Sequence, residues 1–543
     1  MLAVSTIASE TVLTPVKSPA APKPRIARAL IALAVVNLLL VLPLWWRDGA
    51  WGSAWLVPEV WLLPLLGLWP AARRSAALGW ILAGTLTLAT AALLGDALVR
   101  SVFSRPLNIA LDPWLLKAGF NLLQGSLGTA AAVTAAVLAG ACAVATLLGM
   151  RALVRRILSP MPPVPASSIA LLATMTFTIG LFGQIDAVRP ALAGLMSEQV
   201  RQVSTTLDER EALLARAASE RMQARPVPAL AGRDVVIVFV ESYGVSALDQ
   251  PRYGNVLNPV LANAENTLSE AGLRSVTTRM ESPIRGGQSW LSHASVLGGQ
   301  RTDNDYLYSL MLASGQAFLT DDLRLTGHTP MVVAPAIVER WPEARALGFE
   351  AIYPASALSY SGPASGWVGV PDQYTLHRYS RHLRPRHSGA VFSVLLLISS
   401  HAPWSPGPPL LGDWDRLDLA DPWPEWTAPP TDPLAYWRDT DSLRRRYPQS
   451  LAYSLEAVFE WAARDLPIGA LLIVLGDHQA SPLITGHGTG ADVPIHLISS
   501  DAGLLSALES TDMRSGLRLP EPGNKTRPLH ELRFWLRDAL STD

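Results

Sequence analysis

The sequence holds a single cysteine, Cys142, and lysine only at Lys17, Lys23, Lys117 and Lys525. One thiol cannot close an intramolecular disulfide or build a thiolate cage, so any metal must be held by oxygen and nitrogen. Arginine supplies nearly all the positive charge, and no basic tract is present to grip a nucleic acid. Charge of either sign is scarce, at 16% of residues against 49% hydrophobic, with a formal net charge of −1 and a mean hydropathy of +0.23. That balance is too apolar for a chain lying wholly in water.

The apolar residues are not spread evenly. Residues 1–25 are rich in Ser, Thr, Ala and Pro, lack apolar periodicity and read as a flexible cytoplasmic tail. Five apolar stretches follow, near 28–46, 53–70, 76–98, 127–150 and 166–187, each close to the ~20 residues that cross a hydrocarbon core. They predict a five-span membrane domain over 26–187. Leu44, Trp45 and Trp46 close the first stretch where a cleavable signal would need small residues. Lys17, Lys23, Arg25 and Arg28 precede the first stretch, Arg73 and Arg74 the third, and Arg151, Arg155 and Arg156 the fifth, so these loops are expected on the cytoplasmic side and the C-terminal half outside. The segment Pro106 to Leu127 mixes apolar residues with Asp112, Trp114 and Lys117, as suits a helix lying in the interface. Residues 188–232 turn polar and predict a helical linker around TLDEREALLARAASERM.

From residue 233 to 543 short apolar runs alternate with helical patterns, predicting an α/β domain with a mainly parallel sheet. Val235 to Val240 is a β-branched run that stops on Glu241. Val391 to Ile398 runs into Ser399, Ser400 and His401, and Leu471 to Leu475 into Gly476, Asp477 and His478. Parallel strands bring their carboxyl ends to one edge, so Glu241, His401, Asp477 and His478 are expected to converge. Two carboxylates with imidazoles suggest a divalent cation. A nucleophile is sought in Arg285-Gly286-Gly287-Gln288-Ser289, a glycine turn that sets Ser289 near a helix N-terminus, where amides favour a phosphate or an alkoxide. A metal on the hydroxyl oxygen is one way to activate a serine. Spacing alone leaves Ser282, Ser292 and Ser295 as alternatives.

Together, VFVESYG, the Gly-Gly-Gln-Ser turn, GWVGVPDQY at 366–374, ISSHAPW at 398–404 and the helix-strand run ending in Gly-Asp-His at His478 resemble one known family. It is the lipoteichoic acid synthase and phosphoglycerol transferase family, a membrane branch of the alkaline phosphatase and sulfatase superfamily that also includes the lipid A phosphoethanolamine transferases. The resemblance implies an alkaline-phosphatase-like catalytic domain outside the membrane. It also implies one divalent metal ion (Mn, Mg or Zn) on Glu241, Ser289, Asp477 and His478, with Ser289 as nucleophile and His401 at the phosphate or leaving oxygen. His487 in TGHGTG is a further candidate phosphate contact, with a plain glycine loop as the alternative. The family usually presents threonine where Ser289 stands. Its tryptophan and arginine after the middle strand occur here as Arg340 and Trp341, in a different order. Formylglycine sulfatase chemistry is disfavoured, because the position required two residues before Pro283 and four before Arg285 is Glu281 rather than cysteine or serine.

The implied reaction moves a phospho-headgroup from a phospholipid donor to an envelope glycan or lipid acceptor, at a bacterial inner membrane. A tethered hydrolase of the same superfamily and a non-catalytic polymer-binding relative are the alternatives. Between His401 and Tyr447, Trp404, Trp414, Trp423, Trp426 and Trp437 mark either a lid that meets sugar rings or headgroups, or a flap whose aromatics pack on the domain.

Overall fold

A computed structural model describes residues 23–48, 54–159, parts of 167–178, 187–338, 340–363, 369–427, 439–486, 488–510, 512–521 and 526–541. The chain divides into two compact units, Met1–Leu94 with Gly140–Met196, and Gly95–Ala139 with Ser197–Asp543.

Among the described residues three helices are long and apolar enough to cross a membrane: Ile26–Asp48, Ala76–Phe103 and Thr129–Ile157. The five-span expectation is corrected accordingly. The second stretch is broken into the short helices Pro58–Trp61, Leu63–Leu66 and Pro70–Arg74. Pro58, Pro64 and Pro70 each stand at the start of one, where a missing N–H is harmless, and each ends what could have been a continuous ladder. The fifth stretch lies largely outside the described residues. Within the first unit Leu33, Val36, Leu40 and Leu44 pack against Leu86, Leu93, Met150 and Val154. Asn37 is buried there, donating to the Trp55 carbonyl (2.9 Å) and accepting from Val57 N (2.8 Å), so the broken segment has a fixed polar anchor. Arg73, Arg74, Arg151 and Arg155 line one cavity of about 580 Å³, which puts two of the cationic loops at the same end of this unit.

The second unit is built on a nine-stranded sheet. Its strands are β1 (Val235–Val240), β2 (Arg274–Glu281), β3 (Thr329–Ala334), β4 (Ala351–Pro354), β5 (Val391–Leu396), β6 (Leu471–Gly476), β7 (Asp492–Ser499), β8 (Arg514–Ser515) and β9 (Arg527–Pro528). The order is β4-β3-β5-β1-β6-β7-β2-β8, with β9 beside β2. Strands β4, β3, β5, β1 and β6 are parallel, whereas β7 is antiparallel to β6 and β2 is antiparallel to β7 and β8. The sheet is therefore mixed, and the expectation of a mainly parallel one is corrected. A parallel return needs a crossover of a dozen or more residues, usually a full helix. Between β6 and β7 the chain supplies only the four-residue helix Pro482–Thr485, so it comes straight back.

All six residues of β1 are buried, and alternate ones enter different layers. Val236, Val238 and Val240 meet Leu257 and Leu261 of helix Pro251–Glu270 and Leu451 and Leu455 of helix Thr440–Asp465. Val235, Ile237 and Phe239 meet Leu291 and Ala294 of helix Ser289–Gly298. A helix layer on each face explains why β1 reads as an unbroken apolar run instead of an alternating one. The helix Ser289–Gly298 is closed at its far end by Arg533, which is fully buried, donates to the Gly298 carbonyl (3.3 Å) and pairs with the equally buried Asp322 at 2.7 Å.

The strand ends approach so closely that a side chain would not fit. A Cβ on Gly476 would overlap the Tyr243 carbonyl oxygen, and one on Gly244 would overlap the Gln479 side chain. Gly476→Ala should therefore cost about 1–3 kcal/mol in denaturant unfolding of the purified chain. Gly407→Ala, where a Cβ meets nothing within 4 Å, should change stability by less than about 0.5 kcal/mol.

Candidate metal centre

The register of β1 on β6 pairs Val240 with Gly476, so the next residue of each strand, Glu241 and Asp477, come to stand side by side. Asp477 is pinned by its Oδ1, which accepts from Ser242 N (2.8 Å) and His478 N (2.7 Å). Glu241 Oε1 accepts from Ser242 Oγ (2.9 Å) and lies 3.3 Å from His478 Nε2, while Oε2 accepts from Ser289 Oγ (2.9 Å). Ser289 Oγ is also 3.2 Å from His478 Nε2. The other imidazole nitrogen, Nδ1, lies 2.9 Å from the Gln479 carbonyl. A proton on Nδ1 donated there leaves the Nε2 lone pair facing the centre, the usual orientation of a metal-ligating histidine.

Ser289 is brought in by a turn that the strand end itself holds. Gly286, Gly287 and Gln288 have φ values of 75°, 139° and 69°, and Ser289 then opens the helix Ser289–Gly298. Gly286 N donates to the Gln479 carbonyl (2.9 Å), tacking the turn to the residue after His478. The glycines allow a backbone path that a β-carbon would oppose. The alternative serines are occupied elsewhere. Ser282 Oγ donates to the Asp477 carbonyl (2.7 Å), and Ser295 Oγ donates to the Leu291 carbonyl (2.8 Å). Ser292 is fully buried, with its hydroxyl 3.5 Å from that of Ser282. Among the four, Ser289 is the one hydrogen bonded to Glu241 and His478.

The ligand atoms of Glu241, Asp477 and His478 lie within 4.8 Å of one another, and all three residues are buried. Burial pushes the Asp477 carboxyl up to about 7, with the Glu241 charge adding to it. Glu241 moves the other way: burial opposes its charge, but His401, His478 and the Ser289 hydrogen bond outweigh it and hold the carboxyl below the usual range. His478 is likewise disfavoured as a cation by burial, yet Asp477 and Glu241 raise it to about 9. Protons thus stand where a cation would balance two adjacent carboxylates. Three oxygens, counting Ser289, and one imidazole nitrogen fit manganese, magnesium or zinc. The same pocket has a polar atom with no hydrogen-bond partner, His293 Nε2, 4.0 Å from Asp477 Oδ2.

His293 was not among the sequence candidates. It follows Ser289 by four residues on the same helix face, a spacing visible in SWLSH, and burial depresses its pKa to about 3. His401 follows β5 at the same sheet edge. Ser400 Oγ donates to the Glu241 carbonyl (2.7 Å), tying the turn that carries His401 to the end of β1. Asp372, in the GWVGVPDQY motif, has a supporting role: its buried Oδ1 accepts from Ile398 N (2.9 Å) and Ser399 N (3.0 Å), shaping the turn into His401. Arg340 is exposed on the segment after β3, and Trp341 packs against the core, so neither joins the Glu241–Asp477–His478 cluster. His487 lies outside the described residues. Trp404, Trp414 and Trp423 are buried in the core and Trp426 packs on it, which favours the flap over the sugar-stacking alternative for these four; Trp437 is outside the described residues.

No protein-family model and no curated protein matches the chain. Among solved structures it is similar to the lipoteichoic acid synthase LtaP from Listeria monocytogenes, at 13% identity and a TM-score of 0.36, covering 56% of this chain and 71% of that one. It is also similar to the C-terminal periplasmic domain of EptC from Escherichia coli, at 12% identity and a TM-score of 0.36, covering 56% and 80%. A third is the Streptococcus pyogenes phosphoglycerol transferase GacH in complex with sn-glycerol-1-phosphate, at 12% identity and a TM-score of 0.34, covering 63% and 92%.

Because metal ligands bind deprotonated, the raised values of Asp477 and His478 set a sign: affinity for a divalent ion rises with pH. Calorimetry should find the apparent affinity increasing about tenfold per pH unit for each proton displaced, across roughly pH 6 to 8. A flat affinity over that window would remove these two groups from the ligand set.

Proposed function

We propose that this protein transfers a phospho-substituted headgroup, phosphoglycerol or phosphoethanolamine, from a membrane phospholipid to a hydroxyl of an envelope glycan or lipid. The observation that carries this reading is the position of Ser289, a hydroxyl at the head of a helix, hydrogen bonded to Glu241 and His478 beside a buried set of oxygen and nitrogen ligands. The motif resemblance to the phosphoglycerol transferase family supports the reaction class. A lipid donor is supported by the three spanning helices and by an apolar surface close to the serine. Trp114, which opens the helix Trp114–Leu127, packs edge-on against Trp290 with ring centroids 6.0 Å apart, and Leu116 on that helix is 81% exposed. A donor whose acyl chains stay in the bilayer presents its phosphate beside such a surface.

A divalent ion on Glu241, Asp477, His478 and Ser289 would supply the positive charge that favours the serine alkoxide and offsets the phosphate. Ser289 Oγ forms a bond to phosphorus while the bond from phosphorus to the diacylglycerol oxygen breaks on the opposite side. Ser289 gives up its proton to solvent when the ion is taken up, and His401 protonates the departing diacylglycerol oxygen. The acceptor hydroxyl then attacks the seryl phosphodiester, giving its proton to His401, and Ser289 leaves as the alkoxide it started as. Arg340 and Trp341 on the segment after β3, with His487, are assigned to the substrate side. We place this domain outside the plasma membrane, a choice supported by the arginines that gather at one end of the first unit.

With labelled phosphatidylglycerol and phosphatidylethanolamine as donors, mass spectrometry should find one headgroup phosphate on Ser289. Ser289→Ala should release diacylglycerol at least about a thousandfold more slowly. Undiminished release by the variant with metal bound would sink the nucleophile assignment. Free glycerophosphate or phosphoethanolamine with no acceptor adduct would make the enzyme a hydrolase.

A further inference from the structure

A second group of metal-type ligands lies outside the site described above. The helix Asp372–Arg378 runs on into a five-residue π turn, Tyr379–Leu383. His377 and His382 are five residues apart, which on a regular α-helix would set them about 140° apart around the axis. The wider turn brings them round to the same side, with ring centroids 6.2 Å apart. Insertions of this kind concentrate at functional sites. Asp418, the last residue of the 3-10 turn Trp414–Asp418, reaches both rings: Oδ1 is 2.7 Å from His382 Nε2, and Oδ2 is 3.1 Å from His377 Nε2.

His377 makes the cluster more than a surface ion pair. Its side chain is 0% exposed, against 36% for His382 and 46% for Asp418. Its buried Nδ1 makes no hydrogen bond, and its Nε2 meets Asp418 Oδ2 at 3.1 Å. The ligand atoms of His377, His382 and Asp418 all lie within 4.8 Å of one another.

We propose that His377, His382 and Asp418 bind a divalent transition ion of zinc type, which ties the Trp414–Asp418 turn to the helix beneath it. Two imidazoles and one carboxylate select such an ion over magnesium or calcium, which prefer all-oxygen shells. The half-exposed side leaves room for water as the remaining ligand. The ion would stabilise the flap from a point its buried tryptophans do not cover, because Asp418 lies at the exposed end of the turn whose Trp414 is buried. The helix it grips starts at Asp372, which shapes the turn into His401, so flap and active-site turn would share one support.

The test uses the full chain carrying Glu241→Gln, so that the first centre is impaired and zinc alone is the probe. Metal analysis and calorimetry should find one zinc ion per chain. Asp418→Asn in that background keeps an acceptor for His382 but loses the charge, and should weaken zinc binding at least about tenfold; His382→Ala should do the same. Zinc should also slow proteolysis within residues 404–427 in the Glu241→Gln chain and not in the double variants. Absence of zinc from the Glu241→Gln chain, or zinc binding unchanged by Asp418→Asn and His382→Ala, would overturn the proposal. Neither result bears on Ser289, whose role is read from headgroup transfer.

Discussion

Two carboxylates placed next to each other in a buried corner are what the rest of the sheet-bearing unit has to accommodate. Glu241 and Asp477 cannot move apart, because the β1–β6 register fixes their backbones and two N–H groups hold Asp477 Oδ1. Neither can be relieved by water, since both are buried. Like charges so confined demand a proton or a cation. The nearby groups meet that demand from different directions: His478 from the next position in the chain, Ser289 from the head of a helix, and His401 from a third strand end. The corner is therefore held in balance by borrowed protons, in the place a cation would take.

The parts of this arrangement that were legible in the sequence are those where local pattern and tertiary role agree. Val235 to Val240 is apolar throughout because both faces are covered, and the abrupt carboxylate at its end marks the sheet edge. Asp477 and His478 announce themselves in the same way. What escaped was polar, irregular or shared between distant segments. The strand Arg274–Glu281 carries threonines and arginines, and its partner β7 runs against β6, so nothing local told its direction. Prolines at 58, 64 and 70 gave the second apolar stretch the composition of a span without the continuity of one. His293 has nothing local to mark it, because what sets it apart, a partnerless Nε2 4.0 Å from Asp477 Oδ2, depends on a strand end distant in sequence.

Irregular backbone recurs wherever side chains must meet at unusual spacing. Positive φ at three successive residues aims Ser289, glycines let two strand ends touch, and a π turn aligns His377 with His382. Each departs from ideal geometry at a place where regular structure would have sent the side chains apart. The regular elements, by contrast, supply rigidity. The β1 strand has a helix layer on each face, so little movement is available to blur distances at its end.

Arg533 has a consequence for the order in which this molecule comes into being. It caps the carbonyl end of the helix whose other end carries Ser289, from 235 residues further along the chain, and it does so fully buried against Asp322. Until that distant segment has been synthesised and delivered, the helix has an open end and Asp322 a buried charge without its counterpart. Contacts so far apart in sequence form late and slowly. A chain caught midway through synthesis therefore has its serine but not the scaffold that aims it. The hydroxyl of Ser289 is aimed only once Arg533 is in place at the other end of its helix.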